Sequence, residues 1–119
     1  MTIKLLIMSK ITDKNTDITL ENPEIIRSAA ISKALGHPAR IAILKILAQQ
    51  KTCFCGDITG IIPLAQSTVS QHLKVLKTAG LIIGTVEGVN TCYCLNPDGV
   101  KELHNLLSEL STELVINCC

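Results

Sequence analysis

The sequence predicts a mainly α-helical domain with one small β-hairpin. Apolar residues recur at helical spacing in several segments, and two β-rich segments flank one short turn. The core has to come from Leu, Ile, Val and Ala, because 47% of the 119 residues are hydrophobic and only 2% are aromatic. This length suits one domain and is too short for a barrel or a full dinucleotide-binding sheet. The scarcity of aromatic rings also argues against a surface that stacks single-stranded nucleic acid.

The first part of the chain is predicted to contain an arm and two helices. Residues 1–21 lack a helical period and are expected to form an N-terminal arm. Asn22-Pro23-Glu24 has residue types typical of a helix start, and this first helix is predicted over residues 23–35. His37-Pro38 begins a second helix that ends near Gln50. Its buried stripe is predicted to consist of Ile41, Leu44, Ile46 and Leu47.

The middle of the chain has the pattern of two helices joined by a turn. Residues 51–55 are predicted to be extended, and residues 57–62 to form a short helix that Pro63 ends. Residues 66–79 form a longer amphipathic helix that ends before Gly80. Its inward stripe consists of Val69, Leu73 and Leu76.

A hairpin and a final helix follow. Residues 81–86 and 91–95 are β-rich and flank a turn at 87–90, and Asn96-Pro97 begins a helix that runs to Ile116. A short helix, a turn with proline, a longer polar-faced helix and a hairpin together describe a winged helix-turn-helix.

We therefore divide the chain into an arm over residues 1–21, a winged helix-turn-helix domain over residues 22–116 and a Cys-containing tail over residues 117–119. The first and last helices, 23–35 and 97–116, lie at opposite ends of the domain sequence. They are expected to pack together and to form the interface of a homodimer. Dimerisation would help so small a domain, which buries only a modest share of its apolar surface alone.

The outward face of the longer middle helix carries uncharged hydrogen-bond donors and a lysine. Such side chains suit base edges and phosphates in the major groove. No Asp or Glu stands between Pro63 and Gly80, so the local patch is basic although the net charge is only +1. An ordinary solvated helix face is the alternative, and His72 is expected to pack rather than to contact bases. The candidate DNA-binding residues are Gln66, Ser67, Thr68, Ser70, Gln71 and Lys74.

Two stretches resemble the ArsR/SmtB family, whose members are small bacterial metal- and metalloid-responsive repressors. They are Ala34-Leu35-Gly36-His37-Pro38-Ala39-Arg40-Ile41 and Gln66-Ser67-Thr68-Val69-Ser70-Gln71-His72-Leu73-Lys74-Val75-Leu76. The resemblance covers about residues 23–116 and implies a winged-helix homodimer that releases double-stranded operator DNA on meeting its effector. Two positions depart from it. Ala65 stands where the family often has a capping Ser or Thr, and the turn at 87–90 lacks Arg and Lys, so no wing contact to phosphate is predicted.

The six cysteines come in three pairs, of which two have the spacing Cys-x-Cys: Cys53/Cys55 and Cys92/Cys94. Alternate residues of a strand share a face, so each of these pairs presents both thiols on one side. In winged helices the short strand before the turn motif generally pairs with the last strand of the wing. The two pairs are therefore expected to lie side by side and to gather four sulfurs into one cluster.

A cluster of thiolates favours soft ions. By the resemblance, arsenic-sensing members carry Cys-x-Cys at the start of the first helix of the turn motif, where Cys53 and Cys55 stand. Those members often add a third Cys, which Cys92 or Cys94 would have to replace here. We predict that As(III), Sb(III) or a soft divalent metal such as zinc or cadmium is the effector, and we predict no organic cofactor. The predicted ligands are Cys53, Cys55, Cys92 and Cys94.

The two Cys-x-Cys pairs also admit interpretations other than an effector site. They suit a repressor controlled by thiol oxidation, a purely structural zinc site of four cysteines, or small apolar residues of the core. A thiol enzyme is not predicted, because the chain has no Cys-x-x-Cys motif, no cofactor loop and no acid or base beside a nucleophile.

Cys118 and Cys119 either supply extra thiolates or have no role. A second site found in the family, on the last helix, is not predicted here. Glu102 and His104 match its first half, but Val115 stands where a His is needed, so His104 is predicted to be a surface residue.

The longest apolar run near the start, residues 5–8, is too short for a signal peptide or a membrane span. This predicts a cytoplasmic protein with no membrane partner.

Overall fold

Two prolines open the first two helices of the chain. In the computed structural model, which describes residues 18–50, 53–56 and 58–119, α1 spans Pro23–Ala34 and α2 spans Pro38–Gln49. A proline suits the first helical position, where a backbone N–H would have no intrahelical acceptor. The next amides are capped by side chains: Asn22 Oδ1 accepts from the Glu24 amide at 2.9 Å, and His37 Nδ1 accepts from the Ala39 amide at 3.0 Å.

The remaining elements follow in the order that the sequence predicts. A short 3-10 helix, Ile58–Gly60, precedes α3, Gln66–Thr78. Strands β1, Ile82–Glu87, and β2, Asn90–Leu95, pair in an antiparallel hairpin, and α4 covers Pro97–Ile116. The four longer predicted helices and both hairpin strands are confirmed to within one residue at each end. The short helix predicted over residues 57–62 is instead a three-residue 3-10 helix, Ile58–Gly60. The predicted arm falls largely on residues 1–17, which lie outside the described residues, as do residues 51, 52 and 57.

The core lies between α2, α3 and the hairpin. Ile43, Leu76 and Leu81 have no solvent exposure, and α2 packs on α3 while α1 packs on α4. The buried cluster consists of Ala34, Ile43, Leu47, Ile58, Ile62, Val69, Leu73, Leu76, Ala79, Leu81 and Ile82. The inward stripe predicted for α3 is confirmed.

Of the four residues predicted for the buried stripe of α2, only Leu47 is buried. Ile41 is 37% exposed, whereas Ala39 and Ile43 are buried together with Leu47. The observed stripe therefore has a spacing of four residues, which matches one face of a helix. The predicted Leu44 and Ile46 are half-buried and pack against the edge of the core.

The junction between α3, β1 and α4 is closed by two glycines and an asparagine. Gly80 has a φ of +81°, a left-handed conformation that a side chain disfavours. Asn96, predicted to cap α4, makes no side-chain capping bond there; instead its Nδ2 donates to the Gly80 carbonyl oxygen at 2.9 Å. Gly99 lies so close to Gly80 that an added Cβ would overlap the same carbonyl group. This backbone contact fixes where α4 leaves the hairpin.

Substitution of these glycines is expected to destabilise the domain unequally. Gly80→Ala should lower the free energy of unfolding by about 1–2 kcal/mol, because alanine disfavours the left-handed region. Gly99→Ala should cost more, since the backbone of α4 has to move. Urea denaturation measures both.

Gly60→Ala is the matched control, because an added Cβ there has nothing within 4 Å. A Gly99→Ala variant as stable as the Gly60→Ala variant would contradict the close contact.

Candidate nucleic-acid interface and metal centre

The polar face of α3 is open to solvent. Its inward stripe is buried, while Thr68 is half-buried at the edge of the exposed face. The exposed candidates are Gln66, Ser67, Ser70, Gln71 and Lys74. Ala65 occupies the N-cap without a side-chain capping bond, as the sequence predicts. The helix therefore presents together the side chains that the sequence singles out for DNA.

His72 is held on the inner side of α3 by an arginine. Arg40 Nη1 donates to His72 Nδ1 at 3.2 Å. The other nitrogens of the same guanidinium donate to carbonyl oxygens at the end of α1: Nε to that of Ala34 at 2.7 Å, and Nη2 to that of Lys33 at 3.1 Å. The His37 ring lies 4.3 Å from the His72 ring, centroid to centroid. His72 is only 9% exposed, so the prediction that it packs is confirmed. Since arginine only donates, this contact requires an unprotonated Nδ1.

A second arginine holds the other end of α3. Arg27 Nη2 donates to the Ala79 carbonyl oxygen at 2.7 Å and to Glu102 Oε1 at 2.7 Å, and its Nε donates to the same carboxylate at 2.9 Å. This hydrogen bond from Arg27 lowers the pKa of Glu102. Glu102, which matches half of the metal site that the sequence rejects on the last helix, is thus paired with an arginine of α1. His104 is exposed, as predicted.

The cysteines are aligned by one backbone bridge. Phe54 pairs antiparallel with Tyr93: the Phe54 amide donates to the Tyr93 carbonyl oxygen at 2.8 Å, and the Tyr93 amide donates back at 2.9 Å. The residues on either side are therefore directly opposed, which places Cys53 against Cys94 and Cys55 against Cys92. Their Cα–Cα distances are 4.5 and 4.1 Å, and each pair is joined as a disulfide.

The cysteine cluster, defined as Cys53, Cys55, Cys92 and Cys94, opens to solvent on one side. Cys92 is 2% exposed and Cys94 is half-buried, whereas Cys53 and Cys55 are exposed. When the two disulfides are reduced, the cluster offers four sulfur ligands on one face of the paired strands. Such a soft donor set fits As(III), Sb(III), zinc or cadmium.

One acidic residue of the hairpin, Glu87, lies close to the cysteine cluster. The ligand atoms of Cys55, Glu87 and Cys92 all lie within 4.8 Å of one another. The sequence contains the information that places Glu87 near Cys92: a two-residue turn pairs residue 87 with residue 90 and so puts Glu87 on the same face as Cys92. Cys118 and Cys119 are exposed and free, and neither belongs to this group.

A helix-turn-helix followed by a hairpin is the architecture of winged-helix DNA-binding proteins. The sequence profile of the family described as "Bacterial regulatory protein, arsR family" matches residues 37–83. A solved structure of a homodimeric winged helix-turn-helix DNA-binding domain from Mycobacterium bovis superposes with a TM-score of 0.59, at 27% identity over 76% of this chain and 83% of that one. The predicted winged-helix fold is confirmed.

Similar proteins include three named regulators. The arsenical resistance operon repressor of Bacillus subtilis is 42% identical over 65% of this chain and 70% of that protein. An uncharacterized HTH-type transcriptional regulator of Methanocaldococcus jannaschii is 40% identical over 71% of this chain and 94% of that protein. A cadmium resistance transcriptional regulatory protein of Staphylococcus aureus is 32% identical over 79% of this chain and 76% of that protein.

The chain belongs to the arsR family of bacterial regulatory proteins. It is therefore a DNA-binding transcriptional regulator and not an enzyme. Among the helices of the described ranges, none combines the length and the apolar character needed to cross a bilayer.

The environment of His72 makes stability depend on pH. Burial lowers the pKa of His72 below its ordinary value of 6.5, and the electrostatic influence of His37 and Arg40 lowers it further. Below pH 6.5 the unfolded chain binds a proton at His72 that the folded chain does not, so the free energy of unfolding should fall as the pH decreases. The loss ends once the pH is below the folded-state pKa.

Urea denaturation between neutral and mildly acidic pH measures this slope. His72→Gln should flatten it, and His104→Gln, which removes an exposed imidazole, serves as the matched control. An unchanged slope in His72→Gln would show that another group is responsible.

Proposed function

We propose that this regulator is a homodimeric repressor that binds operator DNA through α3 and releases it when the cysteine cluster binds As(III), Sb(III) or a soft divalent metal. The observation that carries the proposal is the Phe54–Tyr93 bridge, which opposes the two Cys-x-Cys pairs. A set of four thiols shared between the turn motif and the wing suits an effector site better than it suits a hydrophobic core, because two of the four are exposed.

The exposed face of α3 supplies the operator contacts in this proposal. Gln71 has the amide that pairs in a bidentate manner with adenine, and Ser67 and Ser70 are short donors for base edges or phosphates. Lys74 adds a positive charge for the phosphate backbone. Thr68 is half-buried and would act at the edge of the contact.

The effector is assigned by chemistry and by relatives. As(III) and Sb(III) bind three thiolates, and the reduced cluster offers four. One relative is named for arsenical resistance and another for cadmium resistance, and both names fit soft ions. The exposed tail thiols Cys118 and Cys119 are left outside the proposed site, because they are free and belong to neither of the opposed pairs.

The location of the cluster suggests how binding reaches the DNA. Cys55 stands three residues before the 3-10 helix that begins the turn motif, and Cys92 and Cys94 stand on β2 of the wing. An ion shared between these segments would fix the wing against the start of the helix-turn-helix. A change in this contact would shift α3 relative to the DNA groove. A switch of this kind requires two arrangements of α3 that the bound ion favours unequally.

The homodimer is supported by apolar residues left exposed on the two terminal helices of the domain. Ile25 and Ile26 on α1 are 36% and 53% exposed, and Leu114 and Val115 on α4 are 62% and 71% exposed. Because α1 and α4 already pack together, a second copy that covers both helices would bury these exposed apolar side chains. The Mycobacterium bovis domain is a homodimer.

Thiol oxidation is the second candidate, and one specific observation favours it. Both cysteine pairs are close enough for cross-strand disulfides and are joined in that way. An oxidant would then control the same residues that the first proposal assigns to an ion. The two candidates are separated by whether As(III) or an oxidant releases the DNA from the reduced protein.

Gln71→Ala tests the reading face. It should weaken operator binding by about 1–3 kcal/mol, the range for one good base contact, while As(III) binding stays unchanged. Fluorescence anisotropy on promoter DNA measures the dissociation constant. Gln49→Ala, an exposed glutamine at the end of α2, is the matched control. Unchanged operator affinity in Gln71→Ala would remove this residue from the interface.

Cys55→Ser tests the effector site. Operator affinity should stay the same, whereas As(III) should no longer release the DNA at concentrations that release it from the unmodified chain. Cys118→Ser changes an exposed, free cysteine and should respond like the unmodified protein. If Cys55→Ser still responds normally, the proposed site is wrong. If only Cys118→Ser loses the response, the tail supplies the ligands instead.

A further inference from the structure

One carboxylate lies among the sulfurs of the cysteine cluster. We propose that Cys55, Cys92 and Glu87 form a site for a divalent cation of the zinc type, and that Glu87 decides how well the cluster binds such a cation relative to As(III). This inference rests on the proposed function in one respect: it takes the cluster in its reduced form as the effector site. It adds an oxygen ligand and a basis for selectivity.

The hairpin register puts Glu87 on the correct face. Glu87 pairs with Asn90 across a two-residue turn in which Gly88 has a φ of +63°, and Thr85 pairs with Cys92. Alternate residues of a strand share a face, so Glu87 lies on the same side as Thr85 and its partner Cys92. The Phe54–Tyr93 bridge brings Cys55 to that side from the other edge of β2. The three ligand atoms lie within 4.8 Å of one another as a result.

Glu87 has no competing charge partner in the part of the chain that the structure describes. The ion pair found there joins Arg27 of α1 to Glu102 of α4, and neither residue belongs to the wing. The glutamate is exposed and Cys92 is buried, so an ion held between them would have a protein side and a solvent side. A water molecule can complete the coordination from the open side.

The chemistry of the two ion classes makes this carboxylate selective. Zinc and cadmium accept carboxylate oxygen together with thiolate sulfur, whereas As(III) is satisfied by three thiolates. Binding of a divalent cation at two thiols and the carboxylate releases two protons to solvent and leaves one net negative charge on the site. As(III) gains little from Glu87, because its third ligand is another sulfur of the cluster, Cys53 or Cys94.

The test measures the affinities for zinc and for As(III) in the unmodified chain and in two variants, Glu87→Gln and the control Glu21→Gln. The full chain is reduced with a phosphine and kept anaerobic. Zinc affinity is obtained by competition with a chromophoric chelator, and As(III) affinity from the ultraviolet absorption of the arsenic–sulfur bonds. Glu87→Gln should weaken zinc binding at least tenfold, in the range found when a group supporting a metal is lost, and change As(III) binding less than twofold. Glu21→Gln, another exposed glutamate, should change neither.

The other possible results count against this inference, and one of them also counts against the proposed function. Zinc affinity unchanged by Glu87→Gln, or an equal loss of zinc and As(III), would overturn the inference, because the carboxylate would then be no ligand or would act only on the hairpin. Either result leaves the proposed function standing if the unmodified chain binds As(III) and releases DNA. If the reduced, unmodified chain binds neither ion, the proposed function and this inference fail together.

Discussion

Two backbone hydrogen bonds between Phe54 and Tyr93 are the constraint on which the candidate effector site depends. In an antiparallel ladder the pairs next to a mutually bonded pair have their Cα atoms closest together, and these are the positions that the four cysteines occupy. A register shift of one residue would turn one Cys-x-Cys pair to the opposite face. The cluster is therefore a property of strand pairing, and its thiols meet only when the wing has folded against the segment before the turn motif.

The candidate DNA-binding helix is tied to α1 by two arginines, Arg27 on α1 itself and Arg40 on α2. Arg40 joins the carbonyl oxygens at the end of α1 to His72 on α3, and Arg27 joins α1 and Glu102 of α4 to the carbonyl oxygen of Ala79 after α3. Each guanidinium uses several of its donors at once, which fixes direction as well as distance. The helices proposed for dimerisation are thus the ones that set the orientation of α3, and a dimer would present two copies of that helix in a defined arrangement.

Most of the fold could be predicted because its boundaries are marked locally. Asn22 and Pro23 begin α1, Pro38 begins α2, and Gly80 ends α3, each for a reason that lies in backbone geometry. The stripe of α2 was harder, because apolar residues surround most of that helix and its periodicity does not single out Ile43 over Ile41. Only the packing of α3 against it decides which side is buried.

The candidate site shows the same division between local and long-range information. The shared face within each Cys-x-Cys follows from strand geometry, and the pairing of the two segments follows from the winged-helix topology. The place of Asn96, whose side chain bonds to Gly80 instead of capping α4, depends on a contact between distant residues that no local pattern encodes. Glu87 falls between these cases, since the hairpin register would have revealed it once the turn was fixed at two residues.

One titration shows whether the cysteine cluster senses an ion that controls DNA binding. The reduced, metal-free chain is bound to fluorescent DNA from upstream of its own gene, and anisotropy is followed as As(III) is added without oxygen. We expect tight binding before As(III) is added and release at about one equivalent per subunit, because the effector binds preferentially to the state with low DNA affinity. DNA that stays bound at saturating As(III), zinc and cadmium would contradict the proposed sensing by the cluster.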